Sequence, residues 1–433
     1  MKTCPTGAIR IREGKAVIRK DWCVDCAECL RVCPVNAIYV EQSEFDDMFR
    51  YSFRVALLPA VFLGQFAETV SEAEIYDALY KLGFTHICPV EISVDVIHSE
   101  MTAQIAAAQD KPAISPFCPA VVRLMQVRYP GLVDNIINVK APVEATAMLY
   151  RRNLCDEGYS EGDIGMFYVT PCPAKIASLR EDNENGPLID GVINMDFLYN
   201  KVRLLLQGHG EKPVPGSVKM PPPLTRDEAA WSLTSGEADN FAGRCFAVDE
   251  IHNVINFIDR METSGEISSI DFLELRACDR GCVGGILTPS NRFMAADRLH
   301  RHSLSQSHRT LLYDAMSPGS VDYMADNIGV KKFEPHTKLV YEGQINEVLE
   351  KMDKAQKILE KLPGIDCGAC GSPRCKSLAQ DIVRGEASFD NCVFMQRELD
   401  KDGALNTEQA FRIAEDVWGS GRADTTRSHN YST

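Results

Sequence analysis

Asp163-Ile-Gly-Met-Phe-Tyr-Val169-Thr-Pro-Cys172-Pro-Ala-Lys175 runs from an apolar stretch straight into a cysteine bracketed by prolines. The apolar stretch reads as a strand buried on both faces, and the prolines stop it. The same construction recurs in Ile114-Ser-Pro-Phe-Cys118-Pro119. It recurs again in Glu274-Leu-Arg-Ala-Cys278-Asp-Arg-Gly281-Cys282-Val-Gly284-Gly285, part of the run FLELRAC. Each cysteine sits where an apolar strand meets a Pro- or Gly-rich turn. That placement suits thiolates converging at strand ends, with the backbone drawn close to an inorganic core. Any one of these cysteines alone reads as a small buried hydrophobe.

Outward from these segments, residues 50–335 alternate apolar runs with amphipathic stretches. YSFRVALLPAVFLG reads as a further buried strand. VSEAEIYDALYKLGF and VDEIHNVINFIDRM carry apolar residues at helical spacing. The alternation predicts α/β layering. GHGEKPVPGSVKMPPPLT (208–225) reads as an exposed connection. A helix is expected over 343–362, where Ile345, Val348, Leu349, Met352, Ile358, Leu359 and Leu362 make one apolar stripe that packs on its own protein. Pro363-Gly364 ends it. Another helix is expected near 404–418, followed by a polar tail expected to be disordered.

The chain has 433 residues, which suggests two or three structural units. No apolar run approaches the roughly 18–20 residues of a membrane span, and no signal peptide is evident. A cytoplasmic protein is expected, with no membrane and no nucleic-acid partner, since the net charge is −15. The first forty residues are the exception, with seven Lys/Arg against four Asp/Glu. Solvated surface is the expectation there, ahead of a docking face for an acidic electron carrier.

Sixteen cysteines without an export signal argue for metal ligation over disulfides. Cys23-Val-Asp-Cys26-Ala-Glu-Cys29-Leu-Arg-Val-Cys33-Pro34 is a bacterial ferredoxin signature, in which three closely spaced thiolates wrap one 4Fe-4S cube. Cys4-Pro5-Thr-Gly-Ala-Ile mirrors Cys33-Pro34-Val-Asn-Ala-Ile. Cys4 is therefore expected to complete the cube of Cys23, Cys26 and Cys29. Cys33 is left over, either because the first repeat is truncated or because one cluster has been lost. Near the other end, Cys367, Cys370, Cys375 and Cys392 have the spacing C-x2-C-x4-C-x16-C. That spacing suits another 4Fe-4S cube and is unlike zinc ribbons. Cys88, Cys155 and Cys245 are expected to be structural. His300, His302 and His308, in a segment that reads as a surface turn, are not expected to bind metal.

Taken together, the three central segments resemble the signature loops of the catalytic domain of FeFe-hydrogenases, in order and with plausible separations. CPAVVRLMQVRYPGLVDNI and APVEATAML resemble that family too. The set resembles the divergent, sensory members placed in group D, which carry a ferredoxin front and a small Cys module at the rear. The rear stretch itself resembles the small Fe–S domain of some redox and acetyl-CoA-pathway proteins. The resemblance implies an α/β two-lobed H-cluster domain over 46–335. A half-length ferredoxin-like domain (1–45) would precede it. A linker helix (336–363) and a small, mainly helical Fe–S domain with its tail (364–433) would follow.

It also implies a central cube on Cys118, Cys172, Cys278 and Cys282, the last bridging to a diiron subcluster. Lys175 would hydrogen-bond a cyanide of that unit. The implied chemistry is heterolytic splitting of dihydrogen to protons and electrons. Three 4Fe-4S clusters are expected in all. The implied partners are a ferredoxin or regulatory protein and hydrogenase maturation proteins.

The departures are Phe117, where the family has a proton-shuttling cysteine, and Thr170 and Arg276, where methionines are common. These leave three functions open: a hydrogenase, a slow hydrogen or redox sensor, and a non-catalytic cluster carrier without the diiron unit.

Overall fold

A computed structural model describes residues 1–181, 188–208, 213–214, 216–307, 318–335 and 345–420. The chain divides into two compact units. One comprises Met1–Cys23, Val32–Pro34 and His336–Thr433; the other comprises Val24–Arg31 and Val35–Pro335.

In the first unit, β1 (Ile9–Arg12) and β2 (Lys15–Ile18) form an antiparallel hairpin. The hairpin bonds to residues far along the chain: Ile11 N–H donates to Gly371 C=O (2.8 Å) and Glu13 N–H to Asp416 C=O (2.9 Å). Asp381 is the buried centre of this unit. It accepts from Arg10 (2.5 and 3.1 Å), Arg12 (3.2 Å), Arg19 (3.4 Å) and the Ser372 hydroxyl (2.8 Å). The guanidinium groups of Arg10, Arg19 and Arg384 lie over the Trp22 ring. Part of the basic excess at the front is therefore not solvated surface. Arg10 is 2% exposed, because a buried carboxylate needs cations around it.

The expected long helix spans Ile345–Lys361. It buries Val348 and Ile358, and Leu362 beyond its end, while Leu349 and Met352 stay exposed. Helices Cys375–Val383, Val393–Lys401 and Thr407–Trp418 complete the rear module. The polar tail from residue 421 lies outside the described residues.

The second unit holds two parallel sheets. In one, β3 (Phe53–Leu58), β4 (His86–Pro89), β6 (Ile164–Thr170) and β7 (Gly191–Asn194) run in the order β4-β3-β6-β7. In the other, β5 (Ala113–Ile114), β8 (Cys245–Val248) and β9 (Phe272–Leu275) run in the order β5-β9-β8. Every residue of β6 is buried, which accounts for its unbroken apolar reading.

The two amphipathic stretches are helices Glu72–Lys81 and Ile251–Ser264. The first opens with a capping box of Ser71 and Glu74. In the second, the Glu250 carboxylate accepts from the N–H groups of His252 and Asn253.

Two expectations fail locally. YSFRVALLPAVFLG is not one strand, because Pro59 ends β3 and a short helix, Ala60–Gly64, follows. A proline has no N–H for the sheet ladder but fits a helix entrance. The segment containing His300 and His302 is not a turn but part of helix Arg292–Ser305. Ala295, Leu299 and Ser303 form a buried stripe one residue wide, enough to dock an otherwise polar helix. His302 Nδ1 lies 3.2 Å from the Glu72 carboxylate, and His308 lies outside the described residues. In the Pro- and Gly-rich stretch, residues 216–225 form neither helix nor strand.

Candidate metal centre

All strands in each of the second unit's two sheets are parallel, so their carboxyl ends share an edge. The central cysteines follow those ends. Cys172 comes two residues after β6, Cys278 three after β9, and Cys118 four after β5. Crevices at the carboxyl ends of parallel strands are the usual ligand sites of such sheets.

Cys118 and Cys172 are built alike. Cys118 caps helix Pro119–Arg128 and Cys172 directly precedes helix Pro173–Glu181, each with proline at the first position. Proline is tolerated there because its missing N–H would be unpaired anyway. The positive end of each helix then favours a thiolate. Cys118 Sγ accepts the Ala277 N–H (3.4 Å), which ties the loop after β5 to the loop after β9.

The Cys278–Gly285 loop is tight. A Cβ on Gly284 would stand 1.9 Å from Asp279 O, and one on Gly285 would stand 2.5 Å from Pro171 O. Only glycine lets this loop pass so close to Asp279 and to the Cys172 turn. Arg31 reaches the same loop, donating to Gly284 C=O (3.5 Å).

The four central thiols are half-buried and lie within electrostatic reach of one another. Burial, then the neighbouring thiols, pushes Cys278 well up. Burial and Cys118 push Cys172 up to about 12. Burial also raises Cys118, against opposing bonds from Ala277 and Val121. Without a cation Cys118, Cys172 and Cys278 therefore resist ionisation, whereas metal ligation requires thiolates. Among the described residues no three His, Cys, Asp or Glu side chains converge on a point suited to a single ion. A cube takes one thiolate per iron and does not need such convergence. Four half-buried thiols grouped in this way fit an iron–sulfur cube.

Cys282 is flanked by two cations. Lys175 Nζ lies 3.6 Å and Arg276 Nη1 3.5 Å from its Sγ. Burial works against the Lys175 ammonium, but the sulfur of Cys282 and the Tyr168 hydroxyl outweigh it and hold its pKa above the ordinary value. Phe117 is buried, with its ring centre 5.7 Å from that of Trp231. The Thr170 hydroxyl accepts the Cys172 N–H (3.2 Å) and donates to Cys172 C=O (3.1 Å), bracing the turn.

Sequence reasoning missed the polar shell around these groups. Glu274 and Glu237 bind Arg276 at 2.6 and 2.7 Å, and Ser115 donates to Glu237 (2.6 Å). Glu91 accepts from Ala60 N–H (3.0 Å) and the Ser232 hydroxyl (3.2 Å). Trp231 Nε1 is a buried donor with no partner among the described residues, one able to serve a polar group held nearby. A carboxylate inside the apolar run Phe272-Leu-Glu-Leu was the available signal for Glu274.

At the rear, Cys367, Cys370, Cys375 and Cys392 line one small cavity. Gly368 and Gly371 take positive φ there, and a Cβ on Gly371 would meet Ile11 O at 2.4 Å. Asp366 accepts the Cys375 N–H (2.6 Å). In the front signature, Cys4 Sγ accepts the Ala8 N–H (3.2 Å) within the first unit. Cys26, in the second unit, packs against the apolar cluster that also borders Cys118 and Cys172. Of the three cysteines expected to be structural, Cys88 is buried, and Cys155 and Cys245 are half-buried.

Comparison with known proteins matches three stretches of the chain. Residues 53–201 match the family "Iron only hydrogenase large subunit, C-terminal domain". Residues 16–39 match "4Fe-4S binding domain", and residues 362–394 match "Putative Fe-S cluster". A ferredoxin of Alicyclobacillus acidocaldarius is 43% identical over 60 residues, 12% of this chain and 77% of the ferredoxin. The corrinoid/iron-sulfur protein large subunit of Moorella thermoacetica is 35% identical over 65 residues, 15% of this chain and 14% of that protein.

An FeFe-hydrogenase solved in a study of stepwise H-cluster assembly covers 67% of this chain and 98% of its own, at TM-score 0.51 and 18% identity. A variant FeFe-hydrogenase from Chlamydomonas reinhardtii covers 67% and 98%, at TM-score 0.50 and 17% identity. These structures share the fold. With the hydrogenase family model on the β3–β7 region and the ferredoxin model on the front signature, the chain is an FeFe-hydrogenase-like protein with a ferredoxin-like amino-terminal region.

Proposed function

We propose that this protein binds an H-cluster and interconverts dihydrogen with protons and electrons slowly, as a hydrogen or redox sensor. The observation that carries this reading is the group of four half-buried thiols with the Lys175 ammonium 3.6 Å from Cys282 Sγ. Cys118, Cys172, Cys278 and Cys282 would hold the central cube, with Cys282 bridging to the diiron unit and Lys175 anchoring that unit. When bound, the diiron unit supplies the heterolytic cleavage of dihydrogen. The residues around it hold the sulfurs, exclude water and supply fixed charge. Phe117 has no transferable proton, so the reading assigns slow turnover.

Two further cubes complete the proposal. One is the front set read from the sequence, Cys4, Cys23, Cys26 and Cys29; the other is the rear set, Cys367, Cys370, Cys375 and Cys392. Cys26, Cys118 and Cys172 border one apolar cluster, which supports electron passage between front and centre. The electron or signalling partner would be a ferredoxin or a regulatory protein in the cytoplasm, and maturation proteins would install the diiron unit. No helix among the described residues is long and apolar enough to cross a membrane.

A second reading, a cluster carrier with no diiron unit, draws on Arg276, whose guanidinium stands beside Cys282. Anaerobic reconstitution followed by maturation separates the two. Iron analysis is expected to give about twelve irons before maturation, four per cube. Infrared carbonyl and cyanide bands are expected after it. Their absence with the central cube intact would leave the carrier.

A further inference from the structure

Among the residues around the central cysteines, Arg276 is the most completely constrained. Its side chain is buried, and its Nε–H donates to Glu274 (2.6 Å). Nη2 donates to Trp231 C=O (2.7 Å) and to Glu237 (2.7 Å), which leaves Nη1 for Cys282 Sγ (3.5 Å). The carboxylates are themselves fixed. Glu274 accepts the N–H groups of Glu237 and Ala238 (3.0 and 2.9 Å), and Glu237 accepts the Ser115 hydroxyl (2.6 Å). A guanidinium is a planar fork that stays protonated in proteins. Here every nitrogen is engaged and the fork cannot swing away from the sulfur.

We propose that Arg276 is a positioning residue that sets the reduction potential of the central cube by donating to Cys282 Sγ. The inference rests on the reading of Cys282 as a ligand of that cube. A donor at a ligating sulfur draws electron density from the cluster. The bond strengthens when the cluster gains an electron, so it favours the reduced state. The positive charge acts in the same direction in a site shielded from water. Glu237 and Glu274 oppose part of that charge while they aim the fork. The potential is therefore set by the balance of one guanidinium against its two carboxylates.

The test is a redox titration of the reconstituted full-length protein followed by EPR, with no diiron unit installed. The signal absent from a Cys172→Ser variant identifies the central cube. Arg276→Met is expected to move the midpoint of that signal to more negative values and leave the other cubes unmoved. Arg276→Lys keeps the charge but loses the fork and is expected to fall between. Glu237→Gln removes an opposing charge while keeping an acceptor, and is expected to move the midpoint the other way.

An unchanged midpoint in Arg276→Met with full iron content overturns the proposal. If that variant fails to hold its cube, an unchanged or more negative midpoint in Glu237→Gln overturns it. If Cys172→Ser removes no cluster signal, the central-cube reading itself falls and takes this proposal with it, an outcome distinct from an unmoved midpoint.

Discussion

Lys175 Nζ lies 3.6 Å from Cys282 Sγ although the two residues are 107 positions apart. Lys175 stands in the first turn of helix Pro173–Glu181, which begins directly after Cys172. The helix that begins directly after one central cysteine thus aims a cation at another. A half-buried ammonium loses hydration, and here the nearby sulfurs and the Tyr168 hydroxyl compensate.

Replacing Lys175 by methionine should separate the two halves of the proposed cofactor. The cube needs only the four thiolates, so iron content before maturation is expected to match the parent. The ammonium is what would anchor the diiron unit, so carbonyl and cyanide bands after maturation should be lost or much weakened. Bands of parental intensity would show that Lys175 is dispensable for cofactor retention.

Phe117 sits next to Cys118 in sequence and is buried against Trp231. A positioned proton-transfer group typically contributes about 10²–10⁴-fold to rate. Phe117→Cys in matured protein is therefore expected to raise hydrogen oxidation and evolution. A gain of less than about twofold, with infrared bands unchanged, would put the limitation elsewhere than in the lost shuttle.

Asp381 compensates three arginines in the first unit, one of them fully buried. Removing one partner of a buried ion pair typically costs about 3–5 kcal/mol, because the other charge is left stranded. Asp381→Ala should lower the stability of the first unit by that order. Anaerobic denaturant titration, read by the fluorescence of Trp22 and Trp418, checks this. Arg12→Ala, which removes a half-exposed member, should cost far less. Equal losses would deny Asp381 its central place.

Glu91 gives a pH signature. Burial, opposed by bonds from Ala60 and Ser232, pushes its carboxyl from the ordinary 4.5 up to about 7. Between those values the folded chain keeps a proton that the unfolded chain releases. The resulting stability is present below about 4.5 and is lost as pH rises through about 7. The full effect is about 3 kcal/mol, from 1.36 kcal/mol per unit. Glu91→Gln should flatten stability across that window in urea titrations of the cluster-free chain. An identical slope in both proteins would show that Glu91 ionises normally.

Cysteine spacing made the cluster modules legible before any fold was known, because a cube needs closely spaced thiolates in tight loops and few other chemistries tolerate that pattern. The run into Cys172 announced a buried parallel strand, since β6 has no solvent face to require polar residues. Pro119 and Pro173 likewise marked helix starts by local sterics alone. What the sequence determined by itself was thus local: strand interiors and helix entrances.

The tertiary structure decided the partnerships. Arg10 and Asp381 are 371 positions apart, and the short spacings that reveal loops and helices cannot reveal such a pair. Only long-range packing makes Asp381 the centre of a buried arginine cluster. The same holds at the central site, where Arg276 reads simply as a substitution for an expected methionine. Its fork is directed at Cys282 by Glu274, two residues away at the end of β9, and by Trp231 and Glu237 of one loop, 45 and 39 positions back along the chain. Backbone register brings those segments together, and desolvation makes their charges matter.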